Sequence, residues 1–210
     1  MLRRFVKNEK GFTGLEAAIV LIAFVTVAAV FSYVLLGAGF FATQKGQETV
    51  HTGVKQATSS MELVGGVVAT GDTSNDRIKN VTFTLQLAAG GQPIDLNKTL
   101  ITVLIPKAGI YKEFHYNNST DCSSEAPSTA KDGTSDPYCV RWVYSLQGDN
   151  PDDYLEEFEK AEVTVYLSTS NLNATPNDDF IIEVKPPIGA SYPIELKAPP
   201  AIDDVMVLLK

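Results

Sequence analysis

Few residues in this chain have the types and spacing that chemistry requires. Cys122 and Cys139 are the two cysteines, and His51 and His115 the two histidines. A zinc site takes about four ligands, and neither cysteine belongs to a Cys-x-x-Cys pair. In an extracellular setting one disulfide between Cys122 and Cys139 is the simpler reading; two buried free thiols are the other. Paired acids stand in "GDNPDDY" (148–154), "NDDF" (177–180) and "IDDV" (202–205). None has the ligand spacing of an EF-hand, so they read as solvated loops. No Ser-His-Asp order, phosphate loop or paired-histidine motif occurs. The expectation is a chain that is not an enzyme, with no metal and no cofactor.

Modification is better represented than catalysis. Asn80, Asn97, Asn117, Asn118 and Asn173 each open an Asn-x-Ser/Thr sequon. One such tripeptide is a weak signal, but half of the ten asparagines begin one. Together they suggest a glycosylated outward face. Asn80 and Asn97 are the favoured carriers, Asn80 because it falls on the polar phase of a strand pattern.

A carboxylate occupies an unusual place in "NEKGFTGLEAAIV" (8–20). Glu16 stands at the edge of 28 residues without a formal charge, from Ala17 to Gln44. At 1.5 Å per residue they make about 42 Å of helix, enough to cross a hydrocarbon core of about 30 Å. A secretory apolar region is only about 7–15 residues long. The run is apolar on every face, so it needs lipid or protein all round. Arg3, Arg4, Lys7 and Lys10 precede it, which holds the N-terminus in the cytoplasm and sends the bulk of the chain outside. Two readings of Glu16 stay open from physics alone. It pairs with a cation of another subunit, which offsets the cost of burying both charges, or it favours the helix dipole by about 0.3–1 kcal/mol at the lipid headgroups.

The elements that must position these residues follow from hydrophobic period. Val50, Val54, Ala57, Met61 and Val64 continue a narrow helical stripe beyond the apolar run. One helix over about 13–63 is predicted, about 75 Å long, with "GAG" at Gly37–Gly39 as its expected kink. Beyond it the period becomes two. "KNVTFTLQLAA", "TLITVLIP", "GIYKEFHY", "YCVRWVYSL", "AEVTVYL", "DFIIEVKPP", "YPIELKAPP" and "DDVMVLL" read as strands, and "ELVGGVVAT" can open the set. Val140, Trp142, Tyr144 and Leu146 are assigned to one inward phase, and "PDDYLEEFEKA" to a turn or two of helix. The pattern predicts an α+β chain, a long apolar N-terminal helix followed by an immunoglobulin-like antiparallel β-sandwich. The formal charge is −8, and all of the net negative charge lies beyond Ser60. This argues against nucleic acid as a partner.

The segment "KGFTGLEAAIVLIAFVTVAAVFSYVLLGAGFF" (10–41) resembles the N-terminus of archaellins, subunits of the archaeal motility filament. It is similar, more loosely, to type IV pilins, whose Gly-Phe-Thr start and Glu at the fifth mature position it shares. The resemblance implies a class III signal peptide cut between Gly11 and Phe12 by a prepilin-type peptidase. Removing four cationic side chains and one anionic one moves the formal charge from −8 to −11. The cut creates an α-amino group on Phe12, mainly cationic at neutral pH, as a partner for Glu16 of a neighbouring subunit. The domains implied are a leader (1–11), a filament-core helix (12–64) and an outer β-sandwich (65–210). The expected protein is membrane-inserted as a precursor, then an extracellular homo-oligomeric filament served by the archaellum assembly machinery, with surface-layer contacts. An adhesive archaeal pilin and a membrane-anchored extracellular binding domain are the alternatives.

Overall fold

The computed structural model of the chain describes residues 9–117, 122, 136–148, 152–168 and 172–208. Two compact units are present, Met1–Thr52 and Gly53–Lys210. Helix α1 (Glu9–Thr58) is 50 residues long. It runs unbroken through Gly37 and Gly39, where a kink was expected. A helical glycine costs about 1 kcal/mol relative to alanine but removes no backbone donor, so the cooperative ladder continues across both.

The helix also ends earlier than its stripe suggested. Ser59 N–H donates to the Lys55 carbonyl at 2.9 Å, and Ala88 N–H to the Ser60 carbonyl at 2.9 Å. The second bond already belongs to a sheet. Strand β1 (Met61–Asp72) pairs Met61 with Leu87 and Leu63 with Leu85 of β2 (Arg77–Leu87). Met61, placed with Val64 on the helical stripe, instead has its side chain buried in the β core. Spacings of three and four do not separate a helix end from a strand start when both faces begin with one apolar residue.

The remaining strands are β3 (Ile94–Asp95), β4 (Leu100–Ile105), β5 (Ile110–Asn117), β6 (Pro137–Tyr144), β7 (Tyr154–Leu155), β8 (Lys160–Tyr166), β9 (Asp179–Lys185), β10 (Tyr192–Lys197) and β11 (Val205–Leu208). Among the described residues, nine of the eleven strands form one sheet in the order β10-β9-β4-β5-β6-β8-β2-β1-β11, and β3 pairs with β7. Period two decides which side chains go inside. Val81, Phe83 and Leu85 of β2, Val163 and Val165 of β8, Ile101 and Val103 of β4, and Phe180 and Ile182 of β9 all enter one buried cluster. That cluster also takes Ile194 from β10 and Met206 from β11, strands at opposite edges. One cluster shared by strands from both ends of the sheet means that its halves cover each other as a sandwich. Each fully buried Val, Leu, Ile or Phe side chain stabilises it by about 1.5–3 kcal/mol.

Gly65 and Gly66 form a bulge in β1, between the Val64 and Val68 registers. Two extra residues leave Val67 and Ala69 on the core phase. Among the described residues every ladder is antiparallel except β5–β6, where His115 pairs with Pro137 and Asn117 with Cys139 in parallel. A parallel pair requires a connection of a dozen or more residues, and the sequence between Asn117 and Pro137 is long enough.

Candidate assembly site

Helix α1 carries the residues singled out near the N-terminus. Gly11 and Phe12 lie in its first turn, and Glu16 lies further along it, exposed. From Leu15 to Phe41 every large apolar side chain is exposed, on all sides of the helix. Water is the wrong solvent for such a surface. The hydroxyls of the run are nevertheless ready for a dry environment. Thr26 Oγ1 donates to the Ala23 carbonyl and Thr43 Oγ1 to the Gly39 carbonyl, both at 2.9 Å. These bonds to the preceding turn satisfy polar groups that burial would otherwise penalise. Beyond the run, Lys45 Nζ and Glu48 Oε2 pair at 2.6 Å across one turn, and polar character returns.

Cys122 is bonded to Cys139, with Cα atoms 5.6 Å apart. Cys139 faces outward from β6, alongside Thr164 of β8 and Thr82 of β2. The bond therefore holds Cys122 over the outer face of the sheet. Cys122, Asn80, Thr82, Lys79, Arg141 and Glu162 line a cleft of about 300 Å³ there. This changes the ranking of the sequons. Asn80 does occupy the outward phase, yet it is only 5% exposed, set beside Cys122 in that cleft. Asn97 and Asn173 are exposed and Asn117 is half-buried; Asn118 lies outside the described residues. Asn173 Oδ1 accepts from Arg77 Nη1 at 2.9 Å.

The acid pairs have internal occupations. Asp178 accepts from Thr175 N–H and Thr175 Oγ1, and from Lys107 Nζ at 2.6 Å. The Lys107 bond, then those from Thr175, hold its carboxyl below the ordinary aspartate value. Asp152 accepts from Gln147 Nε2 and Tyr154 N–H. The stretch expected as a short helix is β7 and a turn instead. Glu159, 2% exposed, closes that turn by accepting from Ser145 Oγ, Leu146 N–H and Glu156 N–H at 2.9–3.0 Å. A local helix would leave this carboxylate and the two backbone donors without these bonds. Among the described residues, no group of three His, Cys, Asp or Glu is placed to hold a metal.

The Archaeal-type flagellin family model matches residues 11–196. The chain belongs to the archaeal-type flagellins. Probable flagellin 1 of Archaeoglobus fulgidus is 75% identical over 209 residues, which is 99% of this chain and 98% of that one. Probable flagellin 2 of the same organism is 40% identical over 215 residues, covering 97% and 96%. The fold is similar to that in the structure of the archaeal flagellum of Methanospirillum hungatei strain JF1. There the TM-score is 0.69 and the identity 29%, over 93% of this chain and 99% of that chain. As a flagellin the molecule is an α+β chain, with one long apolar helix followed by a largely antiparallel β unit.

Sequence reasoning also missed a bulge in this flagellin. Trp142 pairs with Ala161 and Tyr144 with Lys160, so Val143 is an extra residue in β6. Such a bulge shifts the side-chain phase by one. Val140 stays in the core and Trp142 packs at its margin, but Val143, Tyr144 and Leu146 are exposed. Nothing in "YCVRWVYSL" marks the extra residue, because apolar side chains stand on both phases.

Proposed function

We propose that this flagellin is the structural subunit of the archaellum, a filament that drives swimming. Many copies of α1 pack into the filament core and the β units form the outer wall. The observation that carries this reading is the exposure of α1 on every side. An apolar helix of this length has no cover of its own, and other copies provide it without lipid. The role is structural rather than enzymatic, and the assembled protein is extracellular.

Before assembly the helix rests in the membrane, and a prepilin-type peptidase cuts between Gly11 and Phe12. The family match beginning at residue 11 and the basic leader support that position. Cleavage leaves Phe12 as a cationic terminus and Glu16 four residues on, about 6 Å along the axis. A copy displaced axially sets its Phe12 amine against this Glu16, which offsets two desolvation costs within the core. The archaellum assembly machinery inserts the cut subunits, and the β wall meets the surface layer. Asn97 and Asn173 are the glycan carriers that exposure favours; Asn80 accepts one only before its cover closes.

The test is intact mass and N-terminal sequencing of filaments sheared from swimming cells. A chain starting at Phe12, with mass added at Asn97 or Asn173, is the expected result. A chain starting at Met1 and remaining with the membrane would refute the cleavage.

A further inference from the structure

Tyr33 is 80% exposed in the middle of the apolar run, and among the described residues nothing pairs with its hydroxyl. The hydroxyls of Thr26 and Thr43 bond carbonyls of their own preceding turn. A phenol cannot do this, because its ring holds the oxygen away from the backbone of its own helix. Once the run is dry, an unpaired hydroxyl carries the full desolvation penalty. The partner must come from outside the chain, and lipid tails offer none.

Gly37 stands one turn further on. A Cβ there would meet nothing within 4 Å, so no contact inside the described chain requires glycine. Glycine is also the poorest helix former after proline. What its missing side chain does is uncover backbone. A helical side chain lies over the turn before its own Cα, so at Gly37 the carbonyls of that turn are open to a neighbouring helix. Each has a second lone pair for a donor. Apolar helices in lipid approach one another closely at small residues by the same device.

A register links the two. The contact of a Phe12 amine with Glu16 displaces one copy by four residues along its neighbour. Tyr33 follows Phe12 by 21 residues, and Gly37 follows Glu16 by 21. The same displacement therefore brings Tyr33 of one copy level with Gly37 of the next. That interval is three heptads, so both pairs stay on one seam when the helices supercoil left-handedly; straight helices would drift by about 20° per heptad. Val50, Val54 and Ala57, spaced by four and three, keep that period. In this register Ile19 also falls opposite Ala23, again large on small. Slid by one heptad either way, Tyr33 would meet Val30 or Gln44, where a side chain covers the backbone. We propose that Tyr33 of each copy seats in the notch at Gly37 of the next and donates its hydroxyl to a carbonyl there. The occupant is α1 of a second copy. The inference rests on the filament reading and its Phe12–Glu16 contact, and it fixes the register of the core.

Mixed filaments test it. Cells expressing full-length Tyr33→Cys and Gly37→Cys chains together should yield filaments whose subunits, oxidised after shearing, run as dimers on non-reducing denaturation. Each chain carries one introduced thiol, and the described residues include no free cysteine. Filaments of either variant alone should stay monomeric, as should Tyr33→Cys mixed with Val30→Cys or with Gln44→Cys. A size test serves even where a thiol variant fails to assemble. Gly37→Leu should lower filament yield about tenfold by overpacking every contact, and Tyr33→Ala in the same chain should restore it. Three results would overturn the register: dimers with Val30→Cys or Gln44→Cys, no dimers from filaments that contain both Tyr33→Cys and Gly37→Cys chains, or wild-type yield from Gly37→Leu. Wild-type filaments that lack this chain would instead overturn the filament reading, and filament chains starting at Met1 would overturn its Phe12–Glu16 contact.

Discussion

Phe83 and Phe31 are the same residue type in opposite surroundings. Phe83, in β2, is 1% exposed, packed between two halves of a sheet; Phe31, in α1, is 65% exposed. The β unit keeps most of its apolar residues inside and gains its stability within one chain. The helix satisfies its own backbone and threonine hydroxyls but leaves its apolar surface for something else to cover. Burial of a side chain this size is worth about 1.5–3 kcal/mol. In one unit that sum is collected on folding, and in the other it becomes available on insertion or polymerisation. This division suits a filament subunit whose β unit is stable within its own chain while the cover of its helix comes from outside the chain.

The sharpest way to break the contrast is to truncate both phenylalanines. Phe83→Ala should destabilise the β unit by about 3–5 kcal/mol. Denaturant titration of the full chain in detergent, followed by the fluorescence of its single tryptophan, Trp142, would read the loss. Phe31→Ala should leave that midpoint unchanged and lower the yield of filaments instead. Equal midpoint shifts for the two variants would mean that the units are not energetically separate.

Removing the Cys122–Cys139 bond by a double serine substitution should cost about 3 kcal/mol on the loop-entropy account. The same variant should open the outer face of the sheet and raise glycan occupancy at Asn80, read by peptide mass spectrometry. Unchanged occupancy would place the cover elsewhere.

Gly189→Ala tests a different joint of the β unit. Gly189 has φ 108°, and a Cβ there would overlap the backbone carbonyl of the buried Ser59. A loss of about 1–3 kcal/mol is expected from backbone strain, with a further contribution from the overlap, seen as a lower melting temperature. Serine at 189 should do no better, since any side chain meets the same carbonyl.

Acid provides the smallest effect. Asp178 has its carboxyl held low by Lys107 and Thr175. Its contribution is complete above the unfolded value of about 3.9 and fades as pH falls through the lower folded value. Asp178→Asn should therefore cost about 1 kcal/mol at neutral pH and flatten the stability–pH curve below about pH 4. An unchanged slope would show that Asp178 does not titrate with folding.

The two regions also differed in how far they could be read from residues alone. The helix announced itself by composition, because 28 uncharged residues in a row have few other uses. Its C-terminus did not, since Met61 fits a helical stripe and a strand equally well. Period two located the strands of the main sheet. It could not show the extra residue at Val143, which moves Tyr144 and Leu146 out of the core. Nor could it show that the outward phase at Asn80 is covered. That depends on Cys122 being bonded to Cys139 beside Asn80, a tertiary contact rather than a local pattern. Glu159 was invisible for a related reason: two of its three donors, Ser145 and Leu146, come from the loop after β6, far in sequence from a turn that looked helical.

The central claim is that copies of the chain cover the helix. Hydroxyl-radical footprinting of intact filaments measures that most directly. Tyr33, in the middle of the apolar run, is 80% exposed in the single chain, and Tyr111, on β5, is also exposed. The account predicts that Tyr33 is protected in filaments while Tyr111 continues to be modified. Modification of Tyr33 as heavily as Tyr111 would contradict it.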